Sequence, residues 1–266
     1  MLTKARQGLG CMRMRPGDEN VIERALDLGV TFLDTADMYG SGANEELVGR
    51  AIRHRRDELV LGTKFGAIWG ADGSWSIRGD AADVRTACEA SLRRLGVERI
   101  DLYYLHTPDP AVPVDESVGA MAELVTAGLV GHLGLSNVSA AELRAGHAVH
   151  PIAAVQPAWS LVSREVEAEL VPACVELGVA VVPYSPQGAG QLAGDPAPGY
   201  EAVWEVARRR GVRSGQVALA WAQQRAEVWG LPVIPIPGTT SVAHLEENVA
   251  ALDIVLDVDE LAALSS

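Results

Sequence analysis

The segment LVGHLGLSNVSAAELRAGHAVHPIAAVQPAW (129–159) contains two apolar runs with one amphipathic helical pattern between them. The runs LVGHLGLSN (129–137) and IAAVQPAW (152–159) are aliphatic and uninterrupted, which is typical of strands buried on both faces. Ser139 precedes the helical pattern and Glu142 follows three residues later, so the pair predicts a capping box at the start of a helix. A strand, a helix and a second strand in this order predict two parallel strands joined by a right-handed crossover.

The same alternation of apolar runs and helical patterns extends along the whole chain. Six further runs predict strands: GLGCM (8–12), GVTFLDTA (29–36), ELVLGTKF (58–65), IDLYYLH (100–106), VAVVPYSP (179–186) and LPVIPIPG (231–238). Eight β-then-α units predict an α/β fold in which the parallel sheet closes into a single (β/α)8 barrel, the TIM barrel. No linker, low-complexity tract or repeat divides the chain, so we expect one domain over residues 1–266.

A doubly wound open sheet is the alternative arrangement of alternating strands and helices. Its dinucleotide fingerprint requires three glycines with the spacing GxGxxG. Gly8 and Gly10 are followed by Arg13 at the third position, and the GxG sequence at residues 188–190 also lacks its third glycine. These mismatches favour the barrel and indicate that a nicotinamide cofactor would be bound by another architecture.

The composition excludes several classes of partner. The 266 residues include 22 basic and 35 acidic side chains, for a net charge of −13, and 48% are hydrophobic. This balance supports a filled core and argues against a nucleic-acid or anionic membrane partner, both of which require clustered Lys and Arg. Cys11, Cys88 and Cys174 form an odd, widely spaced set, which is typical of reduced cysteines in a cytoplasmic protein. No apolar run has the length of a signal peptide or a membrane span, and nothing in the sequence indicates an oligomeric state.

Four ionisable residues lie at the predicted C-terminal ends of adjacent strands, the face on which TIM-barrel active sites open. Asp34 and Tyr39 follow the second strand, Lys64 ends the third and His106 ends the fourth. The set suits ketone reduction, because a carbonyl that accepts hydride develops negative charge on oxygen and needs a proton donor. Tyr39 would donate the proton, Lys64 would lower the pKa of its phenol, and Asp34 would hold Lys64. His106 would hydrogen-bond the substrate oxygen or assist proton delivery, and a cofactor has to supply the hydride.

Each of these residues also has a structural interpretation. Asp34 could cap a turn, Tyr39 could cover the core, and His106 could be a satisfied buried histidine. Lys64 is harder to explain by structure alone, because an unpaired buried ammonium is costly. The convergence of all four at neighbouring strand ends favours the catalytic interpretation.

The segment FLDTADMYGSGANEELVGRAI (32–52) closely resembles the signature of the aldo-keto reductase family, in which the Asp and Tyr of DTAxxYG are catalytic. The resemblance continues in the family's order through LGTKF (61–65), DLYYLHTPDP (101–110), GHLGLSN (131–137), AAVQ (153–156), VPYSP (182–186) and IPIPGTTSVAHLEEN (234–248). It implies a cytoplasmic oxidoreductase that transfers hydride from NADPH, or from NADH as the second option, to a small-molecule aldehyde or ketone, without metal or flavin.

The resemblance also implies a role for each matching position. Tyr39, Lys64, Asp34 and His106 take the catalytic roles described above. Ser136, Asn137 and Gln156 would hold the nicotinamide carboxamide, because their polar ends suit an amide, and Tyr184 would stack on the nicotinamide ring. The remaining cofactor positions are Ser185, Gln187, Gly188 and Gly190 at the pyrophosphate, Gly238, Thr239, Thr240 and His244 at the adenosine phosphate, and Glu247 and Asn248 at the adenine.

The sequence departs from the family pattern at its N-terminus and in one loop. Family members usually begin with a β-hairpin that closes the barrel floor, whereas only seven residues precede Gly8 here, so we expect this hairpin to be missing. Gln187 and Ala189 stand where related bacterial members commonly have a leucine and an arginine. The family pattern therefore does not predict which residues of this loop would contact the cofactor.

A third departure concerns the cofactor's 2′-phosphate. The basic residues that often bind it are missing, and Gly238, Thr240 and His244 occupy the expected positions. Hydroxyls and backbone amides at a helix start favour an anion but lack the strength of charge-assisted bonds. We therefore predict a weak preference for NADPH over NADH that depends on pH through His244.

A noncatalytic or regulatory nicotinamide-binding barrel is the alternative function, although the intact set of four residues argues for turnover. A Schiff-base aldolase that uses Lys64 would leave Tyr39 unexplained, and a metallohydrolase would need a ligand cluster that the strand ends lack. Trp69, Trp75 and Trp159 are expected to line an apolar mouth for the substrate, with loop packing as their other possible role.

Overall fold

The computed structural model describes residues 5–70, 74–194, 196 and 198–265. Its strands are β1 (Leu9–Gly10), β2 (Phe32–Asp34), β3 (Val60–Phe65), β4 (Ala67–Trp69), β5 (Trp75–Ile77), β6 (Ile100–Leu105), β7 (Val130–Ser136), β8 (Ile152–Gln156) and β9 (Ala180–Val181). Its α-helices are α1 (Glu19–Asp27), α2 (Ala43–Ile52), α3 (Ala81–Leu95), α4 (Val114–Thr126), α5 (Ala140–Val149), α6 (Leu170–Leu177), α7 (Glu201–Arg210), α8 (Ser214–Trp229), α9 (Val242–Ala250) and α10 (Val258–Ser265). None of the helices in these ranges is long and apolar enough to cross a membrane.

Seven strands form one parallel sheet in the order β1-β2-β3-β6-β7-β8-β9. Residues 232–238 lie between the two edge strands, where Val181 pairs with Val233 and Gly10 pairs with Gly238, both in parallel. This segment therefore occupies the eighth strand position and closes the sheet into the predicted (β/α)8 barrel. The prediction of the fold is confirmed.

Prolines explain why the eighth segment is irregular. Residues 232, 235 and 237 are prolines, which cannot donate to a β-ladder. Their carbonyls still accept: Gly8 N donates to Pro235 O at 3.0 Å and Gly10 N donates to Pro237 O at 3.2 Å. On the other side, Ile234 N donates to Val181 O at 2.9 Å. The barrel closes through these bonds rather than through a continuous ladder.

Seven of the eight predicted apolar runs contribute a strand, usually shortened at one or both ends. The prediction of a strand over residues 231–238 is wrong, because this proline-rich run forms only isolated bridges. The antiparallel hairpin of β4 and β5 was not predicted from the sequence; it follows β3 directly and pairs Trp69 with Trp75. The described residues before β1 begin at Ala5 and contain no strand. The expectation of a missing N-terminal hairpin also covers residues 1–4, which lie outside the described ranges.

The core has two layers because side chains alternate along each strand. On β6, Leu102 and Tyr104 belong to the cluster enclosed by the strands, whereas Tyr103 and Leu105 pack against the helices.

The start of α5 is fixed by its own sequence. Ser139 and Glu142 form the predicted capping box at the start of α5, with Glu142 N donating to Ser139 Oγ at 3.2 Å.

Two helix glycines provide a matched test of packing. In α2, a Cβ on Gly49 would lie 2.3 Å from the carbonyl oxygen of Leu95, whereas a Cβ on Gly119 in α4 would meet nothing within 4 Å. Gly49→Ala should therefore lower the free energy of unfolding by about 1–3 kcal/mol, because α2 and α3 must move apart. Gly119→Ala should raise it by about 0.5–1 kcal/mol through helix propensity.

Urea denaturation followed by circular dichroism measures both changes. An equal effect of the two substitutions would contradict the close approach of α2 and α3 at Gly49.

Candidate active site

The four predicted catalytic residues meet at the C-terminal ends of β2, β3 and β6. Lys64 Nζ forms an ion pair with Asp34 Oδ1, donates to Thr35 O at 2.8 Å and lies 3.5 Å from the phenol oxygen of Tyr39. The side chains of Lys64 and Asp34 are 0% and 3% exposed. The rings of Tyr39 and His106 meet edge to face, with their centroids 5.8 Å apart. The site thus combines a buried ion pair, a phenol and an imidazole.

A tight turn between β2 and α2 positions Tyr39. Asp37 N donates to Lys64 O at 3.0 Å, which ties the turn to β3. The three residues after Tyr39 have left-handed backbone conformations, with φ of 56° at Gly40, 53° at Ser41 and 94° at Gly42. Glycine adopts this region without a steric cost, whereas Ser41 does so only because its neighbours fix it. The glycines of the YGSG sequence are therefore required by the turn that carries the phenol.

Burial and the charge of Lys64 shift the pKa of Tyr39 in opposite directions. Burial raises the pKa of its phenol above the ordinary value of 10, and attraction to Lys64 lowers it by a smaller amount. Lys64 lowers this pKa as expected, but burial outweighs the ammonium and sets the net direction of the shift. Burial also favours a neutral Lys64, but the charge of Asp34 and the hydrogen bonds to Asp34 and Tyr39 outweigh that effect and raise the pKa of the ammonium. At neutral pH the phenol is protonated and Lys64 is charged.

His106 is neutral in this site. Burial, assisted by the charge of Lys64, lowers the pKa of the imidazole from 6.5 to about 3. Its Nδ1 is buried and has no hydrogen-bond partner among the described residues. A neutral imidazole presents one donor and one acceptor, so His106 is suited to hydrogen bonding rather than to holding a charge.

The polar residues at the ends of β7 and β8 form a network that reaches the ion pair. Gln156 Nε2 donates to Asp34 Oδ2 at 2.8 Å, and Ser136 Oγ donates to Gln156 O at 2.8 Å. Asn137, which has a left-handed φ of 55°, receives a hydrogen bond from the Tyr184 hydroxyl at 3.0 Å. The residues predicted to hold the nicotinamide are therefore also bonded to one another and to Asp34.

One cavity of about 630 Å³ contains most of the predicted site. The predicted residues that line it are Asp34, Tyr39, Trp69, Trp75, His106, Ser136, Asn137, Gln156, Tyr184, Ser185, Gln187, Gly190, Gly238, Thr239, Thr240, His244, Glu247 and Asn248. Lys64 does not line the cavity, but it contacts Asp34 and Tyr39, which do. The volume is within the range of small-molecule and cofactor pockets.

Two predicted residues lie elsewhere. Trp159 is 1% exposed, donates from its indole nitrogen to Glu167 at 3.0 Å and packs edge to face on Trp221, so its prediction as a substrate residue is wrong. Gly188 faces the protein interior, where a Cβ would meet Val162 at 2.7 Å, so it does not line the cavity. The sequence could not show either orientation, because both depend on packing between distant segments.

The loop after β9 is held against the far end of the cavity. Gln187 Nε2 donates to Asn248 Oδ1 at 3.1 Å and to Gly215 O at 3.3 Å. Glu247 pairs with Arg213 at 2.7 Å, and Ser241 caps α9 by accepting from His244 N at 3.4 Å. The unusual Gln187 thus connects the loop to α8 and α9.

Sequence reasoning missed two arginines and a glutamine of the cavity wall. Arg13 follows β1, and Arg213 and Gln216 lie at the start of α8. In the sequence, Arg13 stands out only as a mismatch to a glycine motif. The predicted phosphate contacts lie in residues 238–248, whereas α8 approaches the same end of the cavity from another part of the chain. The position of Arg213 directly before a helix is the sequence signal that points to it.

The Aldo/keto reductase family model matches residues 15–266. The chain belongs to the aldo-keto reductase family. A relative from Glycine max, described as probable aldo-keto reductase 1, is 39% identical over 289 residues, which cover 96% of this chain and 82% of the relative.

Solved structures of the family agree in fold. An aldo/keto reductase from Klebsiella pneumoniae, in complex with NADP and acetate, has a TM-score of 0.81 and 33% identity, covering 97% of this chain and 89% of that chain. The glycerol dehydrogenase from Gluconobacter oxydans has a TM-score of 0.87 and 27% identity, covering 97% and 90%. Membership of this family makes the chain an oxidoreductase of the carbonyl-reducing class.

The charge state of His106 is testable. Its imidazole should stay neutral from about pH 8 to about pH 5, because its pKa of about 3 lies below this range. Nuclear magnetic resonance of the histidine rings measures this, and the spectrum of His106→Gln identifies the signal. A titration midpoint for His106 above about pH 5 would contradict the effect of burial and Lys64.

Proposed function

We propose that this chain reduces an aldehyde or a ketone to an alcohol with hydride from NADPH, and that Tyr39 is the general acid. The observation that carries the proposal is the convergence of a protonated phenol, a neutral imidazole and a buried ion pair at one end of a large cavity. These groups provide a proton donor and hydrogen bonds where negative charge develops on a carbonyl oxygen.

The cavity fits a nicotinamide dinucleotide. The amide of Asn137 is exposed in it and Tyr184 is half-buried beside that amide, so a carboxamide and an aromatic ring both find partners. Gly238 and Thr239 lie in the wall near the start of α9 and leave room for a phosphate-bearing ligand. Bound NADPH supplies the hydride. The NADP and NADPH complexes of the Klebsiella pneumoniae reductases support this choice of cofactor.

Proton transfer falls to Tyr39. Its hydroxyl stays protonated until the substrate oxygen becomes basic, because burial keeps the pKa high. The phenolate left after transfer is stabilised by Lys64, and this attraction is strong because both groups are shielded from water. Asp34 keeps Lys64 in place, and its second oxygen is held by Gln156. His106 hydrogen-bonds the carbonyl oxygen in its neutral form.

The substrate end of the cavity has an aromatic wall. Trp69 and Trp75 project from the hairpin of β4 and β5 with their rings 5.2 Å apart, and they are 54% and 46% exposed. Residues 71–73, at the hairpin tip, lie outside the described ranges. Exposed indoles in the same cavity as Tyr39 favour an aromatic or aliphatic carbonyl compound.

Tyr39→Phe should lower the rate of carbonyl reduction by about 10²–10⁴-fold, because it removes the proton donor. The dissociation constant of NADPH should stay close to that of the parent, because the hydroxyl acts on the developing alkoxide. Single-turnover oxidation of NADPH measures the rate, and quenching of tryptophan fluorescence measures binding. Tyr200→Phe is the matched control, because Tyr200 packs against the core and does not line the cavity.

Retention of more than about a tenth of the parental rate by Tyr39→Phe would exclude Tyr39 as the acid. A parent that binds NADPH but turns over no member of a broad carbonyl panel would instead favour the noncatalytic barrel.

His244 is exposed at the start of α9 and lines the cavity, so its imidazole can donate a hydrogen bond to a 2′-phosphate. His244→Ala should therefore weaken the preference for NADPH over NADH. The ratio of the dissociation constants of NADH and NADPH measures the preference, and an unchanged ratio in His244→Ala would place the 2′-phosphate contact elsewhere.

A further inference from the structure

Arg213 is a charged residue at the far end of the cavity with unused donors. It directly precedes α8, and its side chain is 70% exposed. Its Nε lies 2.7 Å from Glu247 Oε1. In the described part of the chain, neither Nη atom has a hydrogen-bond partner. The guanidinium therefore keeps donors available to a ligand.

The surroundings of Arg213 constrain where it can reach. Its backbone N donates to Gln216 Oε1 at 3.0 Å, and Gln216 Nε2 donates to Glu247 O at 3.0 Å. Glu247 lies three residues after His244 on α9, so the two share one face of that helix. Hydrogen bonds thus connect Arg213 to α9, and the first residues of this helix line the end of the cavity where we place the phosphate.

The charges at this end are few. Arg13 and Arg213 are the arginines that line the cavity. His244 and Glu247 line it from α9, where Glu247 pairs with Arg213, and Thr239 and Thr240 supply only neutral donors. A guanidinium matches phosphate through two parallel N–H bonds and stays charged at every physiological pH. Arg213 therefore provides here the permanent cation that residues 238–248 lack.

We propose that Arg213 binds the 2′-phosphate of NADPH and is the main residue that discriminates NADPH from NADH. The proposal rests on the proposed use of a nicotinamide cofactor. Glu247 is the counter-ion of Arg213 in the free protein and opposes the phosphate, since both are anions. The preference for NADPH is accordingly stronger than residues 238–248 alone predict.

Isothermal titration calorimetry with 2′,5′-ADP and with 5′-AMP tests the proposal without turnover. Arg213→Gln should weaken the binding of 2′,5′-ADP about tenfold or more, because one charge-assisted bond to the 2′-phosphate is lost. The affinity for 5′-AMP, which has no 2′-phosphate, should stay within about twofold of that of the parent. Glu247→Gln should strengthen the binding of 2′,5′-ADP. Arg213→Lys should retain part of the affinity, which shows that charge is needed. Arg93→Gln, on the exposed face of α3, changes the net charge equally and should alter neither constant.

The proposal is overturned if the parent binds 2′,5′-ADP no better than 5′-AMP, or if Arg213→Gln weakens both ligands equally. Circular dichroism of each variant confirms folding, and Arg213→Lys decides the matter if the glutamine variant unfolds. If the parent reduces carbonyl compounds and Arg213→Gln does not change the binding of 2′,5′-ADP, only the proposed role of Arg213 is refuted. A parent that discriminates through Arg213 without reducing any carbonyl supports the phosphate contact and refutes the reductase.

Discussion

The buried pair of Lys64 and Asp34 is the interaction on which the site depends. An ammonium without water needs a counter-charge and hydrogen bonds, and Lys64 finds them in Asp34 and in the carbonyl of Thr35. Loss of one partner from such a pair costs about 3–5 kcal/mol, because the other charge stays buried. The pair also links three elements, since Asp34 ends β2, Lys64 lies in β3 and Gln156 ends β8. The geometry that stabilises the barrel mouth thus also sets the electrostatics of Tyr39.

Closure of the barrel is the second constraint, because it joins Gly238 and the start of α9 to the cavity that also contains Asp34, Tyr39 and His106. The eighth strand position is a proline-rich segment that still accepts hydrogen bonds from Gly8 and Gly10. It leads directly into Gly238 and α9, so the cofactor end begins where the barrel closes. Its backbone cannot be a regular strand, and the irregular course leaves Gly238 beside Gly10, where a Cβ on Gly238 would lie 2.9 Å from the carbonyl of Gly10.

The far end of the cavity is assembled from three separate parts of the chain. Gln187 reaches Asn248 and Gly215, and Arg213 reaches Glu247. These contacts join the loop after β9 to α8 and α9. An acidic protein with a net charge of −13 attracts no anion by its overall field, so a dinucleotide depends on local donors. The polar side chains that are unusual for the family, Gln187 and His244, both lie at this end.

The sequence by itself determined the barrel, because apolar runs that alternate with capped helices leave few other ways to bury both faces of a parallel sheet. It also determined that Asp34, Lys64 and His106 lie close together, since residues at the C-terminal ends of neighbouring strands must meet when the strands pair. Only the tertiary structure decided which side chains face the cavity and how burial shifts their pKa values. Trp159 packs into the core, and burial raises the pKa of Tyr39 despite Lys64. Arg213 joins the phosphate end only because α8 folds against α9, a contact between segments whose spacing in the chain carries no signal.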